Sequence, residues 1–529
     1  MATVRDVTYE ILRASGLTTI FGNPGSNELV FLDGMPPDFN YVLGLHEGAV
    51  LSIAEGYSLA SGEPVFVSLH AAAGSGNAMG ALTNAQYSHS PLVVMAGNQV
   101  RSTVGQEVEL TNVDAAQLPR PLVKWSSEPT CAADVARTFE QAIHTATLPA
   151  KGPVYVSVPY DDWLTEADPQ TTHLVHRRVT SAQSLSPAQL HGLVDLLDGA
   201  HNPVLVLGPQ VDAERANDDA VRLAEALRAP VWIAPSAPRA PFPTRHPAFR
   251  GVLPAAVKDI SNLLDGHDVV LVVGAPVFRY HQYVPGKYLP VGTRLVQITA
   301  DAQEAARAPM GDAVVADVRQ ALAQLADTVA VSSRHPLPPL PDFAEPARGR
   351  GYVHPEELFA VLRQNAPEHA VYVNESTSTL DAFWSQMDLR EQGSYYFGAS
   401  GGLGFGLPAA VGAQLALPDR RVIGVIGDGS ANYGITALWT AARYGVPVVV
   451  IILKNGTYGA LRWFSELLGT SEVSVFDLQG IDFVRIAEGY GVDATAVSSA
   501  DDFALALKAA LVRTTPTLIE VTTADLGAA

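Results

Sequence analysis

The 529-residue sequence predicts an α/β protein of three domains. Each domain is expected to be a mostly parallel sheet flanked by helices, with the first and third related by an internal repeat. Three observations lead there: apolar stretches alternating with helical patterns, two polar or Pro-rich breaks, and a self-match at one fixed offset. The apolar stretches include "EPVFVSLH", "SPLVVMAG", "GPVYVSVP", "NPVLVLG", "DVVLVVG", "RVIGVIGDG" and "VPVVVIIL". A strand apolar on both faces belongs to a parallel sheet covered on both sides. The first break, Thr165 to Pro187, is polar and ends in Ser186-Pro187, an N-cap followed by proline at the first helical position. The second, Val331 to Pro355, holds five prolines between Pro336 and Pro346, and His354-Pro355-Glu356-Glu357 then opens another helix. Breaks of this composition read as interdomain linkers. Domains are therefore expected at 1–181, 182–341 and 342–529, since the chain is too long for one core.

The repeat appears when the chain is slid against itself by 356 residues. "ALTNAQYSHSPLVVM" (81–95) falls on "ALWTAARYGVPVVVI" (437–451), and "EPVFVSLHAAAGSGN" lies over "DRRVIGVIGDGSANY". Two copies of a helix–strand–loop–helix–strand unit are the economical explanation. The copies differ at their strand ends: His70 in the first, Asp428 two positions later in the register of the second.

Composition narrows the function. With 54 acidic and 34 basic residues the net charge is -20. Nucleic acid and anionic membrane surfaces need clustered Lys and Arg, so neither is an expected partner. The single cysteine, Cys131, means no internal disulfide and fits a reducing compartment. "MATVRDVTYEILRASG" reads as an amphipathic helix rather than a signal peptide, and the longest apolar run, 446–453, is far short of a membrane span. A cytoplasmic protein is expected.

Chemistry is concentrated in the second copy. "VIGDGSANYGITALW" puts Asp428 between two glycines just past a strand, with Ser430 at a helix start, where free N–H groups favour an anion. An acidic side chain there repels phosphate unless a cation lies between them. The next strand ends in "LKNGTYG", offering the Asn455 side chain and the Thr457 carbonyl. Carboxylate, amide oxygen and carbonyl form a hard oxygen set suited to Mg²⁺. Taken singly, a GDG and an Asn-Gly are ordinary turns. Set 27 residues apart at successive strand ends, they are a far more specific signal.

GDGS followed after about 27 residues by NG resembles the cofactor signature of thiamine-diphosphate enzymes. The family pattern usually ends Asn-Asn, whereas this chain has Lys454-Asn455; the expected ligand, Asn455, is kept. The resemblance spans the whole chain. It implies an N-terminal pyrimidine-binding domain, a central domain and a C-terminal diphosphate-binding domain, which accounts for the repeat. It also implies thiamine diphosphate and Mg²⁺ as cofactors, with Asp428, Asn455 and Thr457 as metal ligands. Further similar segments are "FGNPGSNE", "LTNVDAAQLPRPLVKW", "APSAPRAPFPTRHPAFRG", "GAPVFRYHQY", "NESTSTL" and "NGTYGALRWF". They resemble the branch of 2-oxo acid decarboxylases that acts on aryl substrates such as benzoylformate. The implied reaction is its non-oxidative decarboxylation to benzaldehyde and CO₂ through a thiamine-bound enamine, with carboligation as a side activity.

The resemblance assigns roles residue by residue. Glu47, in "YVLGLHEG", is the carboxylic acid that hydrogen-bonds the cofactor's pyrimidine ring; an isolated glutamate there could equally be a solvated helix start. Ser26 receives the substrate carboxylate, and Pro24 and Gly25 shape the turn so that the ring packs close. A neutral hydroxyl orients a carboxylate without the lasting stabilisation that would oppose loss of CO₂. His70 and His281 match the family's proton-transfer pair, and histidine titrates near neutral pH. His70 serves the addition step and His281 the protonation after CO₂ leaves; His46 and His89 are read as structural. Thr377, Ser378, Ser430, Tyr458 and Gly459 contact the diphosphate, with Gly429 and Tyr433 in the same cofactor-binding segment. Gly401 offers a carbonyl to the aminopyrimidine, and Leu403 wedges the cofactor into its bent form. Leu110, Leu461 and Phe464 line the aryl pocket, which a leucine at position 380 should narrow; Glu109 beside Leu110 is a second departure. A small-molecule 2-oxo acid is the expected partner, and the family's sites lie between paired subunits, which implies a homotetramer built as a dimer of dimers. Competing readings are a branched or indolic 2-oxo acid decarboxylase, a carboligating synthase, or a non-catalytic paralogue. The central segment lacks a dinucleotide fingerprint, and Asp301 alone is too weak to argue for one.

Overall fold

A computed structural model of the chain describes residues 2–278, 280–281, 284–470 and 473–524. The expected helix starts are present. Helix Val4–Ala14 begins with a capping box at Thr3 and Asp6. Helix Pro187–Asp198 begins with Ser186 as N-cap, Pro187 at the first position and a capping box to Gln189. Helix Pro355–Asn365 is capped by His354, whose ring accepts from the Glu356 amide. Each start satisfies amide groups that have no partner inside the helix.

Three six-stranded sheets form. In the first the order is Asn40–Leu43, Thr19–Gly22, Val65–Leu69, Leu92–Asn98, Val154–Pro159, Trp125–Ser127. In the third it is Tyr395–Phe397, Val371–Glu375, Val422–Gly427, Val449–Lys454, Thr517–Thr522, Asp493–Val497. Counted along each segment the two orders are identical, and the 356-residue offset carries Val65–Leu69 and Leu92–Asn98 onto Val422–Gly427 and Val449–Lys454 to within a residue or two. The repeat is therefore a repeat of topology as well as of sequence. The central strand pairs are parallel and buried along their apolar runs, as those runs require.

By compactness the chain divides in two. One unit unites the N-terminal segment up to Thr180 with Ala347–Leu380 and the segment from Gly398 on; the other comprises Ser181–Pro346 with Asp381–Phe397. What joins the first and third sheets into one unit is a helix pair. Helix Glu47–Ser61, buried on most of its surface, packs against Gly406–Ala416, which is buried nearly all round. The approach is backbone to backbone: a Cβ at Gly412 would lie 1.8 Å from the Ile53 carbonyl oxygen, and one at Gly56 2.1 Å from that of Ala409. Tyr444 reinforces the contact, donating to the Tyr41 carbonyl and accepting from the Leu43 amide.

The second unit carries the middle sheet, ordered Asp312–Val315, Arg294–Thr299, Val269–Val273, Pro203–Leu207, Val231–Ile233, Phe249–Val252. Its strand order reverses between Pro203–Leu207 and Val269–Val273, the place where such sheets open a crevice for nucleotides. Here two backbone turns meet closely. The Gly208 amide donates to Val273, the Gln210 amide donates to Gly274, and a Cβ at Gly208 would sit 2.4 Å from the Gly274 oxygen. Asp301 is occupied as a helix cap, accepting from the Gln303 and Glu304 amides.

Replacing Gly412 by alanine must push two helices apart, because the obstacle is backbone rather than a flexible side chain. Gly412→Ala should destabilise the first unit by about 1–3 kcal/mol, the usual cost of overpacking. A urea titration followed by circular dichroism would register it as a lower midpoint.

Candidate active site

The segment "FGNPGSNE" leaves strand Thr19–Gly22 and ends in a short 3₁₀ turn, Ser26–Glu28. Ser26 does not cap this turn; Gly25 precedes it, and the carboxylate that accepts the Gly25 amide belongs to Glu28, at 2.9 Å. Glu28 is fully buried. Its other oxygen accepts the Gly97 amide at 2.8 Å, and the His70 Nδ1 lies 2.9 Å from Oε2. Because Glu28 acts as an acceptor on both oxygens, the facing Nδ1 carries the proton, and His70 presents Nε2 for chemistry. Gly25 is required by this arrangement: a Cβ there would lie 2.1 Å from His70 Nδ1. The Ser26 side chain stays exposed, while its neighbour Asn27 is buried and donates to the Leu110 carbonyl at 3.3 Å. Leu110 sits at φ 65 with its side chain exposed.

Glu47 is the first residue of helix Glu47–Ser61, as a solvated helix start would also be, yet it is only 7% exposed. Asn23 from the same Gly-rich loop donates to its Oε1 at 3.2 Å, and Asn77 donates to Oε2 at 2.9 Å. Gly74 admits the carboxylate, since a Cβ there would be 3.1 Å from Oε1. His46 caps this helix through Nδ1, and His89 contacts the Lys151 carbonyl, so both have structural partners.

The second cluster lies at the C-terminal ends of strands Val422–Gly427 and Val449–Lys454, which run side by side in register Gly427 to Leu453. Helix Asp428–Gly434 starts at Asp428 itself, two residues ahead of Ser430. Asp428 is 3% exposed and accepts the amides of Gly429, Asn455 and Gly456 at 2.8, 3.1 and 2.7 Å. Burial pushes its carboxyl up, against the pull of those donors and of Lys454. Asn455 Oδ1 accepts the Thr457 amide at 3.0 Å, so two of the expected metal ligands share one turn, and the third, Asp428, accepts that turn's amides from the neighbouring strand end. A buried carboxylate raised by desolvation beside amide and carbonyl oxygens fits a hard divalent cation. Lys454, where the family pattern has asparagine, is paired with Glu520 at 2.9 Å. Around this turn stand Ser378, against Gly459, and Tyr458, against Gly429. A hydrogen bond with Tyr433, then burial, raises the Tyr458 hydroxyl above its ordinary range. Thr377 is half-buried in the turn Thr377–Thr379, and Leu380, also half-buried, begins the next helix. Helix Gly459–Leu468 carries Leu461, half exposed, and Phe464, whose ring meets Trp463 edge-on.

Gly401 (φ 77) and Leu403 lie on the loop that leads into helix Gly406–Ala416. Pro24 lies in the loop of Gly25. His281 belongs to the second unit, exposed, its amide donating to the Ala255 carbonyl at 2.9 Å; its neighbours Arg279, Gln282 and Tyr283 lie outside the described residues. Sequence reasoning passed over Glu28, Asn23, Asn77, Asn84 and Glu375. Glu28 left a signal, an acidic residue three places beyond a turn-opening glycine, which is a capping-box spacing. The asparagines left none, because nothing local separates them from ordinary turn residues.

Comparison with known proteins gives the family. The "Thiamine pyrophosphate enzyme" domains match in order: the N-terminal TPP binding domain over residues 2–118, the central domain over 190–325, and the C-terminal TPP binding domain over 377–521. The chain belongs to the thiamine pyrophosphate enzyme family. It is 61% identical over 524 residues to a benzoylformate decarboxylase of Pseudomonas aeruginosa, covering 99% of each chain. A solved thiamine diphosphate-dependent 4-hydroxybenzoylformate decarboxylase of Rhodococcus jostii superposes with TM-score 0.98 at 70% identity, covering 99% of each chain. The crystal structure of a benzoylformate decarboxylase from Polynucleobacter necessarius superposes with TM-score 0.96 at 35% identity, again over 99% of each. An acetolactate synthase large subunit of Escherichia coli (isozyme 3) is 28% identical over 502 residues, 90% of this chain and 86% of its own.

Asp428→Ala should abolish retention of thiamine diphosphate, because an unbridged diphosphate loses its metal. Equilibrium dialysis in Mg²⁺ buffer measures this, and near-normal binding would contradict the metal assignment. Glu28→Gln puts an amide among donors and loosens His70. It should cost a large part of the ~10²–10⁴-fold that a positioned acid–base group contributes to kcat/KM, with cofactor still bound.

Proposed function

We propose that the chain catalyses non-oxidative decarboxylation of an aryl 2-oxo acid of the benzoylformate type, giving the aldehyde and CO₂. The observation that carries this reading is the cluster after the first sheet. There an exposed Ser26 hydroxyl, His70 oriented by Glu28, and a buried Glu47 held by two asparagines all sit on or beside one Gly-rich loop. When bound, thiamine diphosphate supplies the nucleophilic carbon for the keto group and the electron sink for loss of CO₂. Asp428, Asn455 and Thr457 hold Mg²⁺, and Thr377, Ser378, Ser430, Tyr458 and Gly459 hold the diphosphate, with Gly429 and Tyr433 beside them. Glu47 holds a proton at its carboxyl for the aminopyrimidine. Ser26 orients the substrate carboxylate through a neutral hydroxyl, so that the charge to be lost with CO₂ is not stabilised. His70 moves a proton at Nε2 to and from the substrate oxygen, and His281 delivers the proton that the aldehyde carbon gains. Leu110, Leu461 and Phe464 exclude water around the ring. Carboligation follows as a side activity when a second aldehyde enters the same pocket.

The similarity to enzymes acting on benzoylformate favours that substrate. The higher identity to the Rhodococcus protein favours a second reading, the 4-hydroxy derivative. The exposed Leu461, Trp463, Leu467 and Leu468 of one helix, an apolar face that a partner would cover, support assembly into a dimer of dimers with sites between subunits. A cytoplasmic place is consistent with Cys131, exposed and unpaired with another cysteine. No helix among the described residues is long and apolar enough to cross a membrane.

Three measurements test this reading. Glu47→Gln should still bind cofactor, while exchange of the C2 proton, followed by acid quench and NMR, slows by about 10²-fold or more. Wild-type exchange would remove Glu47 from the mechanism. Across a panel of 2-oxo acids, CO₂ release should be most efficient with benzoylformate or 4-hydroxybenzoylformate; a higher kcat/KM for pyruvate or a branched aliphatic acid contradicts the proposal. Leu380→Thr should improve bulkier ring-substituted substrates by about 10–200-fold relative to benzoylformate, the worth of a methylene-sized misfit.

A further inference from the structure

Gly401 and Leu403 belong to a stretch, 398–405, that is neither helix nor strand and contains four glycines. Two of them, Gly401 and Gly404, hold φ of 77 and 101. Such a sequence has more conformational freedom to lose than any other. Two buried side chains nevertheless grip it. Asn84, 1% exposed, accepts the Ser400 amide at 3.1 Å and its hydroxyl at 2.6 Å, and donates to the Gly402 carbonyl at 2.9 Å. Gly401 is thereby held between two anchored neighbours. Glu375, 2% exposed, accepts the amides of Gly404, Phe405 and Gly406 at 2.9, 3.0 and 2.9 Å. Leu403 lies between the two grips.

Helix capping alone does not account for Glu375. A helix N-terminus is ordinarily satisfied by a short side chain at the N-cap itself, half in water. Here the carboxylate comes from the neighbouring strand Val371–Glu375, inside the protein, and burial pushes it up to about 7 against the pull of its three amides. The packing is tight enough that a Cβ at Gly406 would lie 2.5 Å from the Glu375 Cβ. A costly buried acceptor that gathers three consecutive amides sets their direction as well as satisfying them.

We infer that Glu375 and Asn84 are positioning residues that lock the 398–405 loop into its cofactor-binding shape before thiamine diphosphate arrives. The inference rests on the proposed contacts of Gly401 and Leu403 with the cofactor. A pre-ordered loop leaves the ligand no ordering cost to meet, so affinity depends on side chains that do not touch it.

Peptide-resolved hydrogen–deuterium exchange on the cofactor-free full chain is the direct test. Amides of 400–406 should exchange slowly and change by less than about 2-fold on adding thiamine diphosphate with Mg²⁺. Fast exchange that slows only with cofactor overturns the inference, and no variant is needed to see it. Glu375→Gln turns an acceptor into a donor facing amides. It should speed exchange in this loop and raise the thiamine diphosphate Kd, followed by tryptophan fluorescence, by about 10-fold or more. Asn84→Ala should act in the same direction. An unchanged Kd in both folded variants contradicts the inference even if their thermal midpoints fall. Leu403→Ala separates the two layers: slow exchange with a raised Kd agrees with both, while an unchanged Kd refutes the cofactor contact of Leu403 and leaves the clamp to be judged by exchange alone.

Discussion

The contact on which the rest of the first unit depends is the crossing of helices Glu47–Ser61 and Gly406–Ala416. Its closeness is set by Gly56 and Gly412, where a single methyl group would strike the partner's carbonyl. Segments more than 300 residues apart are brought together by it. One helix begins with Glu47; the other begins with the amides that Glu375 collects. A shift in the crossing would therefore move the acid of one cluster and the loop of the other at once. Interiors packed at crystal-like density transmit such shifts rather than absorb them.

Four buried carboxylates organise this unit, and their partners differ in an informative way. Glu28, Glu375 and Asp428 accept backbone amides, which are fixed by strands and turns. Each therefore holds a piece of main chain: the Gly25 turn, the Gly401 loop, the Asn455 turn. Glu47 instead accepts two side-chain amides, from Asn23 and Asn77. Side chains can adjust as the acid gives or takes a proton, whereas a backbone cradle presents donors permanently and favours one state. The contrast sets the proposed role of Glu47 apart from that of the three carboxylates that hold main chain.

The second unit has the reversed strand order of a nucleotide-binding topology. At its switch point the Gly208 and Gly274 turns are held against each other, and the acidic residue at the end of Arg294–Thr299 caps a helix. Only one residue assigned to chemistry, His281, comes from this unit. The burden of cofactor binding falls on the repeated sheets, where the two copies have diverged at equivalent strand ends: a histidine after Val65–Leu69, an aspartate after Val422–Gly427.

The sequence by itself determined the layers and their order. Runs apolar on both faces can only be interior strands of a covered parallel sheet, proline and capping residues mark helix starts by local chemistry, and the 356-residue self-match carried through to identical strand order. It also put Asp428 and Asn455 at successive strand ends, because the two ends of one strand–helix–strand unit are close in sequence. What only tertiary structure decided are the contacts between distant segments. Glu28 facing His70 spans 42 residues, Asn77 facing Glu47 spans 30, and Asn84 reaches Ser400 across 316. No local propensity distinguishes these polar residues from solvated ones. They acquire their roles when packing removes the water around them and leaves one partner for each buried donor or acceptor.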